Sequence, residues 1–175
     1  MFPLVHFTDA PIGLCNEMLI KWGHKMGPNI RPTFGETERW NHALYHDGVP
    51  IAVTTTNHLI RERVGGIEKS GLNLNRKNCI ELSRLCADRP HLCRVMLRLW
   101  REFVFPTLGY RYAISYQDAD IHNGNTYRFD GWKCVGYSRA STAIDQRTGR
   151  QGRNKRVWLW ELPSPPSSPD KEVEG

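Results

Sequence analysis

Two polar residues lie at the end of a β-rich run in the middle of the chain. The run YRYAISY, residues 110–116, combines aromatic and β-branched residues and predicts a central strand. Ser115 and Asp118 lie where this strand ends. Ligands of open α/β sheets bind beyond the carboxyl ends of the strands, so both side chains are well placed for a site. Asp118 could act there as a general base or a metal ligand, or it could cap the helix that follows.

Tyr127 lies in the polar segment DADIHNGNTYRFDG, residues 118–131, which predicts a short helix after this strand. A tyrosine hydroxyl with an ordinary pKa of about 10 is protonated at neutral pH, so it can donate its proton to a leaving group. The alternative is an amphipathic tyrosine that packs at the edge of the helix. We predict Tyr127 as a catalytic residue.

Arg84 lies at the end of another predicted strand, CIELSRLCA, residues 79–87. A guanidinium at a strand end could hold a phosphate or the carbonyl oxygen of a donor. We therefore expect Arg84 and Ser115 to contact the donor or cofactor as well as to take part in catalysis. The alternative is an ion pair between Arg84 and Glu81 or Asp88.

Two histidines, His24 and His122, complete the residues that could carry chemistry. Together with Asp118 and Tyr127 they could form a metal site of nitrogen and oxygen ligands, which suits iron better than a cage of thiolates would. We predict His24 as a catalytic residue, and His24, Asp118 and His122 as ligands of an iron ion. The alternative is that both histidines are ordinary surface or buried residues.

Apolar residues at helical spacing predict two longer helices. Leu14, Met18 and Trp22 predict a helix that ends near Gly23. Pro90 begins the second helix, because proline is favoured at the first helical position. Its apolar residues form one predicted stripe, made of Leu92, Val95, Met96, Leu99 and Phe103, and its arginines lie outside that stripe at Arg94, Arg98 and Arg101.

The remaining strands follow from alternation and turn residues. WNHALYHDGVPIAVTTT, residues 40–56, predicts a hairpin with its turn at Asp47 and Gly48, and WKCVGYS and VWLWELP, residues 132–138 and 157–163, predict two further strands. Within residues 79–87 the expected alternation places Ile80, Leu82 and Arg84 on one side, and Glu81, Ser83 and Leu85 on the other. Residues 61–78 give no clear pattern. The order of elements predicts an α/β fold (α+β), with helices flanking a mixed sheet.

The net charge of +6 is unevenly distributed. Basic residues dominate the stretch from Arg139 to Arg156, whose glycines are typical of a flexible loop. Such a loop could lie over phosphates, or it could be a solvated surface loop. The predicted DNA-binding residues are Arg147, Arg150, Arg153, Lys155 and Arg156.

Length and composition predict one catalytic domain over residues 1–162, which includes the basic loop at 139–156. The proline- and serine-rich residues 163–175 are expected to be a disordered tail. No apolar run is long enough to span a membrane, and no signal peptide is recognisable, so we expect a cytoplasmic protein without a membrane partner. Five scattered cysteines favour buried thiols over disulfides.

The order of elements resembles that of the GNAT class of acyltransferases. Three separated segments are also similar to the Mom family of phage DNA-modification proteins: KWGHKMGP at 21–28, ELSRLCADRP at 81–90, and SYQDADIHNGNTYRFDGWKCVG at 115–136. The resemblance covers roughly residues 14–137. It implies a GNAT-like fold with a mixed, mostly antiparallel central sheet, and it implies a general-acid role for Tyr127.

The Mom resemblance further implies a transferase that adds a carbamoylmethyl group to the exocyclic amine of adenine in double-stranded DNA. Such a modification protects DNA from restriction, in the host cytoplasm if a phage encodes the protein. Flipping the base would need aromatic contacts, for which Trp22 and Trp132 are candidates. The alternatives are a GNAT-like N-acyltransferase that acts on a small amine or a protein, and a non-catalytic module that binds nucleic acid. The oligomeric state is left open, with a homodimer as one option.

The donor implied by the GNAT class is acetyl-CoA, and here the sequence disagrees. Users of acyl-CoA in that class follow the central strand with a glycine-rich loop whose amides hold the pyrophosphate. The corresponding segment CADRPHL, residues 86–92, contains no glycine, and Pro90 lacks an amide hydrogen. The sequence therefore argues against acetyl-CoA and leaves the donor unidentified, with an amino-acid derivative or iron-assisted chemistry as options.

Overall fold

A computed structural model describes residues 3–31, 40–139, 144–145 and 150–163. Its strands are β1 (Val5–Asp9), β2 (His42–His46), β3 (Val49–His58), β4 (Cys79–Ala87), β5 (Tyr112–Asp118), β6 (Lys133–Ser138), β7 (Ile144–Asp145), β8 (Arg150–Gln151) and β9 (Lys155–Glu161). Its α-helices are α1 (Ile12–Lys21), α2 (Pro90–Leu99) and α3 (Asn125–Arg128). A π-helical turn, Trp100–Val104, and a 3-10 turn, Phe105–Thr107, continue α2, and a further 3-10 turn spans Glu68–Ser70.

Seven strands form the central sheet in the order β1-β2-β3-β4-β5-β9-β6. Neighbouring strands are antiparallel, except that β4 and β5 are parallel and connected through α2. The predicted α/β class with a mostly antiparallel sheet and flanking helices is therefore confirmed. The short strand β1 at the sheet edge was not expected from the sequence, since most of its side chains are exposed on both faces and it shows no alternation.

Helices cover both faces of this sheet. On one face, α2 and α3 enclose an aromatic-rich core around the fully buried Trp100 and Phe105, with Leu82 of β4 among its members. On the other face, α1 packs on Val53 of β3 and Cys86 of β4. Residues 61–78, which gave no pattern in the sequence, contribute to a further core on that second face through Val64, Ile67 and Leu74, together with the preceding Leu59. We call these the α2 face and the α1 face.

A β-bulge changes the expected side-chain alternation in β4. Thr55 of β3 pairs with Arg84, but the next residue, Thr56, pairs with Leu82, so Ser83 is an extra residue in β4. Such an insertion moves all following side chains to the opposite face. Leu85 therefore joins Leu82 on the α2 face, and Arg84 lies on the α1 face. The prediction that Arg84 shares a side with Leu82 was wrong.

Pro90 begins α2 as expected, but the buried stripe of this helix differs from the predicted one. Met96, Leu97, Trp100 and Val104 are buried, whereas Val95 and Phe103 are 45% and 66% exposed. The π-helical turn is one reason, because it widens the spacing on which a regular helical stripe depends. In the described part of the chain, no helix is long and apolar enough to cross a membrane. Residues 164–175, most of the expected tail, lie outside the described residues.

Candidate active site

The centre of the sheet opens where β4 and β5 stop pairing. Parallel pairing joins Cys79–Glu81 to Tyr112–Ile114 and ends there, immediately before the bulge at Ser83. One residue beyond the last pair, the Ser115 hydroxyl donates to the Leu82 carbonyl oxygen at 2.9 Å. A side-chain hydrogen bond therefore connects the two strands where their backbone pairing ends. The residues around this opening include most of those predicted to carry chemistry.

Tyr127 reaches the same opening from α3, on the α2 face. Its hydroxyl oxygen lies 2.8 Å from the Ser115 Oγ. Because Ser115 uses its single proton toward the Leu82 carbonyl oxygen, Tyr127 must donate in the bond between the two hydroxyls. A directed chain of hydrogen bonds therefore runs from Tyr127 through Ser115 to the backbone of β4. Ser115 and Tyr127, which the sequence predicted as separate candidate residues, are thus in direct contact.

Aromatic rings enclose the Tyr127 side chain. Its ring stacks on Trp158 with centroids 5.6 Å apart and meets the edge of Trp132 at 5.5 Å. Burial raises the pKa of Tyr127 to about 12, although the hydrogen bond with Ser115 opposes this. The hydroxyl is therefore protonated at neutral pH, as an acid requires. Trp132, expected to contact a flipped base, is instead 3% exposed and belongs to this core.

Gly124 allows α3 to approach the sheet this closely. Its φ of +83° lies in the left-handed region, and a Cβ atom there would lie 2.4 Å from Cζ2 of Trp158. Only glycine meets both conditions without displacing the indole. The α3 backbone and the ring that stacks on Tyr127 therefore share one tight contact.

Arg84 lies on the α1 face of the opening. Its guanidinium donates to the carbonyl oxygens of Gly27, Pro28 and Ser83 at 3.0, 3.4 and 2.8 Å. These bonds hold the segment that follows α1 against β4. The hydrogen bonds resolved for Arg84 go to carbonyl oxygens, and Glu81 pairs with a different arginine.

Glu81 and Arg31 form a half-buried ion pair on the α1 face that the sequence did not predict. The Glu81 carboxylate accepts from Arg31 at 2.8 Å, and the Ser83 hydroxyl lies 3.3 Å from the same oxygen. The Glu81 side chain is 7% exposed and that of Arg31 is 23% exposed. An acid within a buried strand is unusual enough to have been a signal, since charged residues are rarely buried unless paired.

Lys155 of β9 lies on the same face, with its ammonium 5.7 Å from the centre of the Tyr116 ring. Burial lowers its pKa, Glu81 raises it, and the positive charges of Arg84 and Arg31 lower it further. Arg31, Arg84 and Lys155 are thus close enough to influence one another. We call these three residues the cationic cluster.

The expected iron ligands do not form a metal site. Among the residues that the structure describes, no three His, Cys, Asp or Glu side chains are grouped so that they could hold a metal ion. The His24 Nδ1 atom is buried without a hydrogen-bond partner. Burial and the nearby Arg84 and His122 lower the pKa of His24 to about 4, so its imidazole is neutral. His24 therefore lies at the site, but the set His24, Asp118 and His122 does not fit iron.

The Asp118 carboxylate makes contacts that shape the turn after β5, and its predicted catalytic role stays a prediction. Its Oδ2 accepts from Arg153 at 3.0 Å, and its Oδ1 accepts from the Asp120 amide at 3.0 Å. These contacts are closer to the alternative role of Asp118 as a cap, because they stabilise the turn after β5. Its side chain is 8% exposed, so little of the carboxylate remains accessible to a substrate.

The basic residues predicted to bind DNA are partly committed to contacts within the protein. Arg153 binds Asp118, and Arg156 donates to the His122 carbonyl oxygen at 2.9 Å. Lys155 is half-buried at the site. The side chains of Arg147 and Arg150 lie outside the described residues. The phosphate-binding role of this loop stays a prediction. Because Arg153 and Arg156 form hydrogen bonds within the protein, fewer cations are available to phosphates than the sequence indicated.

A groove of about 610 Å³ runs between α2 and α3 beside the opening. It is lined by Pro90, His91, Arg94, Val95, Arg98, Asn125, Thr126 and Phe129. Few backbone amides are available where α2 begins, since the Asp88 amide donates to the Ile51 carbonyl and the Leu92 amide to the Arg89 carbonyl. Pro90 has no amide hydrogen. The α2 end of the groove therefore lacks most of the amide cradle that a pyrophosphate uses.

Several solved structures with a similar fold are distant in sequence from this chain. The ribosomal-protein-S18-alanine N-acetyltransferase from Escherichia coli aligns with a TM-score of 0.59 at 12% identity, over 94% of this chain and 97% of that one. An acetyltransferase of the GNAT family from Streptococcus pneumoniae gives 0.56 at 8% identity, over 91% and 100%. An Arabidopsis thaliana protein in complex with the bisubstrate analogue CoA-Ac-MVNAL gives 0.53 at 7% identity, over 90% and 99%.

No protein-family model matches this sequence, and no curated protein matches it. At 7–12% identity the three similarities above establish the fold alone. The chain has a GNAT-like fold, as expected from the order of its elements. The resemblance to the Mom family and its DNA chemistry stays a prediction.

Proposed function

We propose that this protein is a transferase that moves an acyl-type group from a donor to an amine. The observation that carries the proposal is the directed hydrogen-bond chain from Tyr127 through Ser115 to Leu82, placed where β4 and β5 separate. The GNAT fold supports it, because the three solved structures named above include an alanine N-acetyltransferase and a complex with a CoA-containing analogue. This is the alternative that the sequence left open beside DNA modification.

In the proposed reaction, the amine nitrogen forms a bond to the acyl carbon and the bond to the leaving group breaks. The amine loses a proton, and the leaving group needs one. The amine proton passes to solvent, Tyr127 donates its own proton to the leaving atom, and Tyr127 takes a proton back from solvent when the products depart. The Ser115 proton stays directed at the Leu82 carbonyl oxygen, so Ser115 holds the phenol in place and relays no proton.

Burial raises the pKa of Tyr127 to about 12. The phenol therefore keeps its proton at neutral pH until a basic leaving atom takes it.

The charge on the α1 face favours one class of acceptor. The cationic cluster places Arg31, Arg84 and Lys155 around one carboxylate, Glu81, which Arg31 already neutralises. A polyamine or another cationic acceptor would be repelled there, whereas an amine carried by an anionic molecule would be attracted. This supports a second candidate function, transfer to the exocyclic amine of adenine in DNA.

The donor in this proposal is a molecule without a pyrophosphate. The groove between α2 and α3 is large enough for a nucleotide-containing donor, but the Asp88, Pro90 and Leu92 positions offer no free amide hydrogen where α2 begins. Arg94 and Arg98, which line the groove, provide side-chain cations there. An amino-acid derivative such as a glycyl ester fits these observations better than acetyl-CoA.

Co-expression with a plasmid tests the proposal. Nucleosides from the plasmid and tryptic peptides from the host are compared by mass spectrometry between cells with wild-type protein and cells with Tyr127→Phe. Added mass on adenine supports the DNA candidate, and added mass on protein or small amines supports the more general transfer. Products that persist with Tyr127→Phe at equal protein levels would remove Tyr127 as the acid. DNA binding without any product would indicate the non-catalytic module.

A further inference from the structure

The Asp130 carboxylate lies in the aromatic core behind Tyr127 and is completely buried at its side chain. It accepts from Arg101 at 2.9 and 3.3 Å and from Arg98 at 3.4 Å. Its Oδ2 also accepts from the indole Nε1 of Trp132 at 3.2 Å. A buried carboxylate is tolerated only when protein donors form hydrogen bonds to its oxygens, and these bonds also fix its orientation.

Arg101 holds this carboxylate in place from the π-helical turn after α2. Its side chain is 11% exposed, and its guanidinium lies 4.3 Å from the centre of the Trp160 ring. The cation is therefore sandwiched between an indole and the Asp130 carboxylate. Arg98 is 60% exposed and makes the longer contact, so Arg101 is the principal partner.

Trp132 connects Asp130 to Tyr127. The Trp132 ring meets the Tyr127 ring edge-on, with centroids 5.5 Å apart and an angle of 75°. The amides of Asp130 and Trp132 both donate to the Tyr127 carbonyl oxygen, at 3.1 and 3.0 Å. The same short turn thus touches the backbone of Tyr127 and one edge of its ring, while Trp158 covers the ring face.

We propose that Asp130 is a positioning residue for Tyr127, and that it acts by orienting the Trp132 indole through the bond to Nε1. With Trp158 on the ring face and Trp132 at its edge, the phenol has one orientation, in which its hydroxyl reaches Ser115. If the indole is no longer held, the Tyr127 ring can tilt and the hydroxyl leaves the opening between β4 and β5. The consequence for catalysis rests on the proposed function, but the consequence for the ring does not.

Two variants weaken this connection in different ways. Trp132→Phe keeps an aromatic ring at the edge of Tyr127 and removes the donor to Asp130. Asp130→Asn keeps the side-chain shape and both tryptophans, so any change at Tyr127 is not a direct effect of a lost ring. The second variant leaves Arg101 without its anion and could unfold, in which case Trp132→Phe still decides the question.

The chain offers a matched control at Trp100. This indole is fully buried in the same aromatic core and donates to the Thr56 hydroxyl at 2.9 Å. Trp100→Phe therefore removes the same atoms and one buried indole hydrogen bond. The Trp100 ring lies 6.3 Å from that of Trp132, but it makes no bond to Asp130. The variant therefore reproduces a loss of packing beside Trp132 and keeps the donor that binds Asp130.

The experiment labels the protein with 3-fluorotyrosine and records 19F NMR spectra, in which Tyr127→Phe identifies the Tyr127 resonance. We expect Asp130→Asn to shift or broaden that resonance, and Trp132→Phe to broaden or split it, while Trp100→Phe leaves it sharp. In the transfer assay, Asp130→Asn and Trp132→Phe should lower kcat by about ten- to a hundredfold, because a small misplacement of a catalytic group has effects of that order. KM for the donor should change little.

An unchanged Tyr127 resonance with wild-type kcat in both variants would overturn the proposal. Equal losses of kcat in Trp100→Phe and Trp132→Phe would also overturn it, because they would indicate a general effect of core packing. If Tyr127→Phe retains activity but the resonance responds as expected, the acid role in the proposed function fails and the positioning contact stands.

Discussion

Replacing Gly124 with alanine tests whether the close approach of α3 to Trp158 is needed for the position of Tyr127. An L-residue at a φ of +83° is strained by about 1–2 kcal/mol. The new Cβ would also lie 2.4 Å from Trp158 Cζ2 and 3.0 Å from Gln117 Oε1, inside the contact distance of both. Overpacking of this kind costs a further ~1–3 kcal/mol. The expected total loss is therefore about 2–5 kcal/mol in the free energy of unfolding.

Gly109 is the matched control for the backbone contribution. Its φ of +75° imposes a similar strain, but a Cβ there would meet nothing within 4 Å. Gly109→Ala should therefore lose about 1–2 kcal/mol. The difference between the two variants isolates the contact with Trp158, and it corresponds to a Tm difference of about 2–12 °C for a chain of this size.

Urea unfolding and the transfer assay together read out this prediction. Because Trp158 stacks on Tyr127 and donates to Gln117 at 3.0 Å, an indole displaced by the added methyl group of Gly124→Ala carries the phenol with it. We expect Gly124→Ala to lose activity beyond its loss of folded protein, and Gly109→Ala to lose none. Equal stability of the two variants would show that α3 moves freely away from the sheet, which would refute the argument.

Three further predictions follow from single contacts. Asp118→Ala should lower the free energy of unfolding by about 1–3 kcal/mol in thermal melts, because it removes the acceptor of Arg153 and of the Asp120 amide; lost activity at unchanged stability would restore a chemical role for Asp118. The pKa of His24 is lowered from 6.5 to about 4, so folding favours the neutral imidazole, and its contribution is present above pH 6.5 and lost as the pH falls through 4. Wild-type protein should therefore lose more stability between pH 7 and pH 4, measured by urea unfolding, than His24→Gln does, and parallel curves would contradict this. Calorimetric titration with acetyl-CoA should show no micromolar binding, because the start of α2 offers few free amides. Micromolar binding would make acetyl-CoA the favoured donor.

The local features of the sequence predicted the elements and two of the central site residues. The β-rich run before Ser115 and the polar segment around Tyr127 are next to each other in the chain, and each is recognisable from its own composition. The rule that ligands bind beyond the carboxyl ends of strands singled out Ser115, but the contact with Tyr127 did not follow from it. The structure places their oxygens 2.8 Å apart.

Sequence patterns did not predict the contacts between residues that are distant from each other in the chain. Glu81 binds Arg31, and Asp130 binds Arg101, across separations of 50 and 29 residues. The sequence instead offered Arg84 as a partner of Glu81 and counted Arg101 among the exposed residues of α2. Charge alone does not select between several arginines, because a surface cation and a buried one have the same side chain and differ only in what the fold places beside them.

The sequence by itself determined the order of the strands and helices after β1, the beginning of α2 at Pro90, and Ser115 and Tyr127 as separate candidate residues. Only the tertiary structure decided on which face of the sheet each side chain acts. One inserted residue, Ser83, moves Arg84 away from Leu82 to the face of the cationic cluster. The physical reason is that alternation along a strand is a local property, whereas a bulge depends on the hydrogen bonds that the neighbouring strand, β3, offers to it.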